Sequence, residues 1–326
     1  MNNREHYGFI VISSITPVLG VIGAMVLLWN RVFGPADLTA FLLMFLIGGF
    51  GISTGYHRLL SHRAFKTPRA VRFALTAAGA MAAQGPPLTW AAHHRRHHRV
   101  ADRPGDPHSP YDSDEPGLRG VLKGLWHAHI GWLFDSELSS DPIRYCPDLA
   151  RDKDVRFITR HFLAFVVAGL ALPTLIGLAW TGTWQGALTA FVWGGPVRIF
   201  FNNQTTYAVN SIGHFYGRRR FDTPDESRNV ALLSILSFGD SWHNNHHAFP
   251  RVANHGFRWW EIDPSAVLIR TLEATGLARD VVRIDRTREQ RRAEGLSRVG
   301  GGRRAALSPS KPLSERAGSE GDADVE

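Results

Sequence analysis

Four apolar runs, residues 9–29, 38–56, 162–180 and 184–201, constrain this chain more than any other feature of its sequence. About 20 apolar residues in a helix cross the hydrocarbon core of a bilayer. Backbone at that depth must satisfy its own hydrogen bonds, so each run predicts a spanning helix. The fold class expected is an all-α integral membrane protein with four transmembrane helices. The first run has no strong basic segment ahead of it and no small-residue cleavage site after it, so it reads as a span and not a signal peptide. A fifth run, 71–84, is too short to cross and carries Arg72. It reads as an interfacial or re-entrant segment.

Charge sets the orientation. The link between the first two runs holds only Arg31 and Asp37, and the link Thr181-Gly182-Thr183 is uncharged. The loop from His57 to Arg160 holds Arg58, Arg63, Lys66, Arg69, Arg95, Arg96 and Arg99, and Arg218, Arg219 and Arg220 follow the fourth run. Basic loops stay on the cytoplasmic side, so both basic regions and both termini are expected there. The net charge of +8 also suits a nucleic-acid binder, but no binding fold accompanies it and no nucleic-acid partner is expected. The single cysteine, Cys146, excludes an intrachain disulfide or a cysteine cluster and reads as an inert thiol. Beyond residue 280 the composition turns to arginine, then Gly/Ser, then the acidic stretch 321–326. This predicts a membrane domain over 1–280 and a disordered charged tail over 281–326.

Histidines crowd the polar stretches beside the apolar runs: His57 and His62; His94, His97 and His98; and His243, His246 and His247. The topology, drawn from the charges alone, puts all three clusters on one face of the membrane. Five residues do not return a chain to one α-helical face, so a turn or helix end is expected to bring His57 and His62 together. The i, i+3, i+4 triples share a helix face and present three imidazoles to one centre. Asn210 and His214 add an i, i+4 pair just after the fourth run. Nine histidines exceed the coordination of one metal, so two metals are implied. A lone histidine at a membrane boundary is usually a polar interface residue, but three clusters on one face are not explained that way. His6, His93, His108, His127, His161 and His255 lack matched partners and read as surface or supporting groups. His129, in an aromatic stretch, reads as a supporting hydrogen-bonding group, as do Asp102, Asp106 and Asp240 beside the clusters.

These clusters resemble the three histidine boxes of integral-membrane fatty acid desaturases, most closely the stearoyl-CoA (delta-9) type. Gly51-Ile-Ser-Thr-Gly-Tyr-His57, Gly105-Asp-Pro-His108, His129-Ile-Gly-Trp132 and Asn210-Ser-Ile-Gly-His214 strengthen the resemblance, which covers about residues 35–275. It implies a cytosolic helical cap over the spans and a bent tunnel for an acyl chain. It also implies two Fe2+ ions held by His57, His62, His94, His97, His98, His214, His243, His246 and His247, with Asn210 reaching one of them through water. Gln84 and Trp90 match positions near the tunnel mouth. The implied reaction uses O2 to convert two adjacent methylenes to a cis double bond, at the delta-9 position, in a long-chain acyl-CoA or acyl-lipid. Such methylenes offer no handle to acids, bases or nucleophiles, so redox metal chemistry is required.

The chain carries no haem, flavin or iron–sulfur motif of its own, so a separate ferredoxin, flavoprotein or cytochrome b5-like donor is expected. Arg218–Arg220 suit either an acidic donor or anionic headgroups. The chain departs from the animal acyl-CoA enzymes at Ala92-His93 and Asp135-Ser136, where those enzymes carry an Arg-Asp and an Arg-Lys pair. That loss of cations leaves a CoA ester and a membrane lipid both open as acyl donor. Two other readings fit parts of the pattern: a histidine-box hydroxylase, and a His-rich metal-binding membrane transporter. Transporters place ligands near the midplane of their spans, whereas these histidines gather at one end.

Overall fold

The computed structural model describes residues 10–29, 33–135 and 138–300. His6, Arg31, Ser136 and residues 301–326 lie outside them. The regular elements are helices, which we label α1 (Thr16–Trp29), α2 (Pro35–Phe50), α3 (Arg69–Met81), α4 (Pro87–Val100), α5 (Gly117–His129), α6 (Lys153–Arg160), α7 (Phe162–Thr181), α8 (Trp184–Val192), α9 (Arg198–Phe215), α10 (His243–Ala248), α11 (Pro264–Ala274) and α12 (Arg286–Gly300). Short helical turns at Pro142–Tyr145 and Pro147–Arg151 lead into α6.

Two of the described helices are long and apolar enough to cross a membrane: Pro35–Ser61, which is α2 with its continuation, and Phe162–Thr181. The first apolar run yields a shorter apolar helix, Thr16–Leu27. The fourth run is interrupted. After α8 the chain takes a π-helical turn, Trp193–Val197, containing Gly194, Gly195 and Pro196, and then continues as the much more polar α9. Its 184–201 segment therefore joins a long compound helix that carries polar residues deep into the bundle.

Local sequence explains how these helices begin and turn. Pro35 occupies the first turn of α2, and the Asp37 carboxylate accepts from the Gly34 N–H at 2.7 Å. Between α7 and α8, Gly182 adopts φ +66°, a left-handed conformation that closes a helix end without a Cβ penalty. Thr183 Oγ1 then accepts from Gly186 N and caps α8. α3 packs along the continuation of α2 and against α7, and Arg69 and Arg72 tie it to Asp152 and Asp154 at the start of α6.

Arg198 is fully buried where α3, α7 and α9 meet. Its Nη1 donates to Met81 O at 2.8 Å, its Nη2 to Gly169 O at 3.0 Å and its Nε to Gly194 O at 3.1 Å. Pro173 has no N–H to offer the carbonyl four residues before it, which is that of Gly169. The guanidinium thus satisfies an acceptor that a proline orphaned, together with a terminal carbonyl of α3.

The chain after residue 280 is not wholly irregular. α12 folds back on the molecule: Arg220 ion-pairs with the buried Glu289, and Arg292 Nη1 donates to Ala248 O at 2.7 Å. Those tertiary partners, invisible to composition, order a segment too polar to fold alone.

Candidate metal centre

The geometry of the histidines begins with the continuation of α2. From Gly51 to Ser61 the helix widens to π-helical winding, closed by His62 N donating to His57 O at 3.1 Å. Hydrogen bonds from i to i+5 put residues five apart on one face. The rings of His57 and His62 therefore lie one turn apart, edge to face, with centroids 4.9 Å from each other. The expected helix end is present, with His62 capping the helix after Ser61, and the wider winding is what returns it to the face of His57.

Nine imidazoles converge as two clusters. His57, His62, His94, His98 and His246 form one, and His97, His214, His243 and His247 the other; within each, the potential ligand atoms lie within 4.8 Å of one another. Neither triple serves a single centre, contrary to expectation. On an α-helix, i and i+4 differ by about 40° while i+3 lies about 60° to the other side. His94 and His98 accordingly face the first cluster and His97 the second. In α10 the pattern reverses: His243 and His247 face the second cluster and His246 the first. Each helix thus contributes to both clusters.

The backs of the rings explain which nitrogen faces inward. His57 Nδ1 lies 3.1 Å from Asp240, His97 Nδ1 3.0 Å from Asp106, His214 Nδ1 2.7 Å from Asp102 and His247 Nδ1 2.9 Å from Asp225. An ionised carboxylate only accepts hydrogen bonds, so each of these Nδ1 atoms donates and leaves a lone pair on Nε2. Burial alone would raise the Asp106 and Asp225 carboxyls; the His97 and His247 imidazoles override it and hold both well below the usual carboxylate range. Burial, reinforced by neighbouring imidazoles, pushes His94, His98, His243 and His246 well below their ordinary range, so they remain neutral.

Inward-facing Nε2 atoms approach closely: 3.0 Å for His57 and His246, 2.9 Å for His98 and His246, 3.3 Å for His97 and His247, and 2.9 Å for His214 and His243. Where both nitrogens present lone pairs, as in His97 and His247, they cannot hydrogen-bond to each other. A shared cation resolves the repulsion. The two clusters are therefore compatible with a di-metal site, backed by carboxylate–histidine pairs of the kind that orient metal ligands. Neutral imidazole accepts iron, zinc, copper or nickel alike.

One loop after α4 supplies two of the backing carboxylates. Asp102 sits at φ +58°, a region aspartate tolerates better than most residues. Its carboxylate accepts from Ser109 Oγ and Glu226 N as well as facing His214. Asp106 accepts from the backbone N–H groups of Asp102 and His108. Asp240 is held differently. Arg58, fully buried, donates from Nη1 to both oxygens of Asp263 at 2.9 and 3.1 Å, and from Nη2 to Asp240 at 3.2 Å. This links box one to the start of α11.

Sequence reasoning missed Asp225 altogether and gave His108 and His255 only a generic supporting place. His255 is buried, with Nδ1 3.2 Å from Arg58 and 3.3 Å from Asp240; the His108 ring lies 4.4 Å from that of His97. Also missed were Asn244 and Asn245, whose side chains pin α10. Asn244 Oδ1 accepts from Arg220 N and Phe221 N, and Asn245 Nδ2 donates to His255 O and Glu261.

Two cavities adjoin the clusters. The larger, about 140 Å³, is lined by Gln84, Trp90, His93, His108, Trp132, Asp135, Ser140, Tyr207 and Asn210, among others, with no lysine or arginine among the described residues that line it. A smaller one, about 40 Å³, shares Gln84, Trp90, His94, Thr206 and Asn210 with it and reaches Ile52, His57, His97, Phe238 and His243. Trp90 stacks on His94 at 5.1 Å, and Gln84 Nε2 donates to Thr206 Oγ1 at 2.9 Å. His93, expected to stand apart, lines the larger cavity beside Ser140, and burial pushes its imidazole down to about 4. His129 is placed against Ser211 and Gln204, at 2.9 and 2.8 Å, on α9. His127 faces Asp112, and His161 bonds back to Phe157 O. Of the basic triple, Arg219 pairs with Glu226 and Arg220 with Glu261 and Glu289, leaving Arg218 the exposed member.

The fatty acid desaturase family profile matches residues 36–277. Among curated relatives, a hex-5-enoyl-(acyl-carrier protein) acetylenase of Moorena producens is 42% identical over 269 residues, covering 82% of this chain and 84% of that protein. An sn-1 stearoyl-lipid 9-desaturase of Anabaena variabilis is 38% identical, covering 76% of this chain and 84% of the relative. Delta-9 acyl-lipid desaturase 1 of Arabidopsis thaliana is 36% identical, covering 74% and 73%.

Proposed function

The chain belongs to the fatty acid desaturase family, and from that premise we propose that it is an oxygen-dependent desaturase placing a cis double bond, of delta-9 type, in a long acyl chain esterified in a membrane glycerolipid. The observation that carries this reading is the pair of imidazole clusters opening onto the smaller cavity, which shares Gln84, Trp90 and His94 with the larger one; among the described residues neither is lined by a lysine or arginine. A CoA donor brings several phosphates to the protein that call for such cations; a glycerolipid keeps its headgroup at the membrane surface. Two relatives whose names specify acyl-lipid desaturation support the same choice.

In this reading the eight box histidines and His214 would hold two irons, with Asn210 reaching one through water. The bound irons supply the redox chemistry with O2 that removal of hydrogen from unactivated methylenes requires. The chain's own residues do the rest. Asp102, Asp106, Asp225 and Asp240 keep Nδ1 protonated on their imidazoles, so that Nε2 is free to ligate. Trp90, stacked on His94, and Ile52 and Phe238 in the smaller cavity give an apolar bed that excludes water and fixes one carbon pair beside the centre. Gln84 and Asn210 sit where the two cavities meet and are placed to orient the chain between them. The four apolar runs are taken as spans with the site and both termini on the cytoplasmic side, and electrons arrive from a separate donor protein.

A second reading rests on the 42% identity to an acetylenase acting on an enoyl carrier-protein thioester: introduction of further unsaturation into a chain that already carries a double bond. Expression in a desaturase-deficient host, with fatty-acid methyl esters from phospholipid, acyl-CoA and carrier-protein pools analysed by mass, separates these. The proposal expects loss of two hydrogens at the ninth carbon, appearing first in phospholipid. A product gaining one oxygen would assign hydroxylation, and a triple bond in the carrier-protein pool would assign the acetylenase reading.

A further inference from the structure

Outside the spans, two apolar surfaces lie unpartnered at the same height on α9. The first is a stripe on α5. Leu118, Leu122 and Trp126, at i, i+4 and i+8, are 74%, 58% and 62% exposed. They occupy an arc of about 80° on the helix, while Gly120, Gly124 and Ala128 are buried on the opposite side. Arg119 and Lys123 border the stripe and pair with Glu115. The second is the uncharged segment from Val230 to Gly239. It exposes Leu232, Ile235 and Leu236 while anchoring Phe238 against Phe45 and Phe50 of α2, at 5.5 and 4.8 Å.

Their common level is read from α9. α5 meets it through His129, bonded to Gln204 and Ser211. The 230–239 segment faces Asn202, Thr205 and Val209 across the smaller cavity. The C-terminal end of α5 and the 230–239 segment therefore both lie beside residues 202–211, within about 15 Å of the end of the fourth apolar run at residue 201 at a rise of about 1.5 Å per residue. That is where a bilayer's headgroups begin.

We propose that Leu118, Leu122 and Trp126, with Leu232, Ile235 and Leu236, insert into the headgroup–acyl boundary as an interfacial collar around α9. The inference rests on the bilayer-spanning reading above. A lipid surface fits because the 230–239 segment continues directly from the apolar face of α2, and because a single planar partner meets two surfaces at one height. The basic residues beside the α5 stripe suit phosphate headgroups. α5 runs on into Gly131–Phe134, which supplies Trp132 and Leu133 to the larger cavity. The collar thus holds that cavity at the lipid boundary, where an acyl-lipid enters.

Depth-dependent quenching tests this in the full chain reconstituted into phosphatidylcholine nanodiscs. With Cys146→Ala as background, NBD is attached to Leu122→Cys or Leu232→Cys, with Leu172→Cys on α7 as the spanning reference and Thr287→Cys on α12 as the aqueous one. The expected result is strong quenching of the probes at 122 and 232 by 5-doxyl lipid and little by iodide. Leu172→Cys should respond most to 12-doxyl lipid and Thr287→Cys only to iodide. Iodide quenching at 122 and 232, with lipid quenching retained at 172, would overturn the collar and leave the spanning reading intact. Protection from both quenchers in a protein that runs as a dimer would assign the surfaces to a second copy and also overturn it. Loss of lipid quenching at 172 would sink the spanning reading and the collar together. None of these readouts depends on desaturase activity.

Discussion

Replacing Arg198 by methionine removes three hydrogen bonds from a fully buried cation to Met81 O, Gly169 O and Gly194 O. Hydrogen bonds between membrane helices average about 0.6 kcal/mol in double-mutant cycles, and those to charged donors in proteins reach about 1.5–3 kcal/mol. Three bonds therefore contribute about 2–9 kcal/mol. At about 2 °C per kcal/mol for a chain of this size, the melting temperature should fall by roughly 4–18 °C. Fluorescence-detected size exclusion after heating the detergent-solubilised protein measures this. Pro173 makes the test specific, because Pro173→Ala restores an N–H to the Gly169 carbonyl. In the Arg198→Met background that second change should recover about 1–2 kcal/mol, whereas in the wild-type background it gives little or nothing. Equal effects of Pro173→Ala in both backgrounds would refute the assignment of Arg198 as the partner of the orphaned carbonyl. An unchanged melt for Arg198→Met would refute the clamp altogether.

The division of the histidines predicts that His94→Ala and His97→Ala, neighbours on α4, weaken different metals. Each protein should retain about half of the wild-type iron by emission spectrometry, and Asp225→Asn should weaken only the four-imidazole site, about 10–100-fold in chelator competition. Loss of both metals from every variant would argue against the partition. Cys146 is buried, and burial pushes its thiol up to about 11. At pH 7.5 it should resist maleimide in the folded protein and react once denatured; prompt labelling of the native chain would show that the helical turns around it open.

Much of the site was legible because ligand chemistry is local. Three groups of imidazoles at helical spacing on one predicted face point to a metal, and the aspartates at 102, 106 and 240 lie beside the boxes in sequence. Their partition was not legible, since it depends on how α4 and α10 face each other. The π-winding at Gly51–Ser61 was hidden too, because nothing in Gly-Tyr-His-Arg-Leu-Leu-Ser-His distinguishes a wide helix from a turn. Asp225 is 22 residues from the His247 it orients, and only the fold brings the two together. The fourth run was legible as apolar, but its continuation into α9, with Arg198 and Asn202 buried, required the carbonyls and helices that surround them.

The charges that suggested a topology also divide, and the division sharpens that argument. Arg58, counted with the cytoplasmic loop, is entirely enclosed and works between Asp240 and Asp263. Arg95 is mostly buried against Asp148, and Arg220 against Glu261 and Glu289. A cation enclosed by protein carboxylates cannot report on the membrane's electrostatics. Cations whose side chains remain in solvent do bear on orientation, among them Arg63, Lys66 and Arg69, which are 59%, 68% and 78% exposed. All three follow within eight residues of the end of α2's π-helical continuation, on the same side as the imidazoles. The exposed charges, which resist translocation, follow the same end of that continuation as the buried imidazoles of His57 and His62, so the proposed orientation puts both on one face of the membrane.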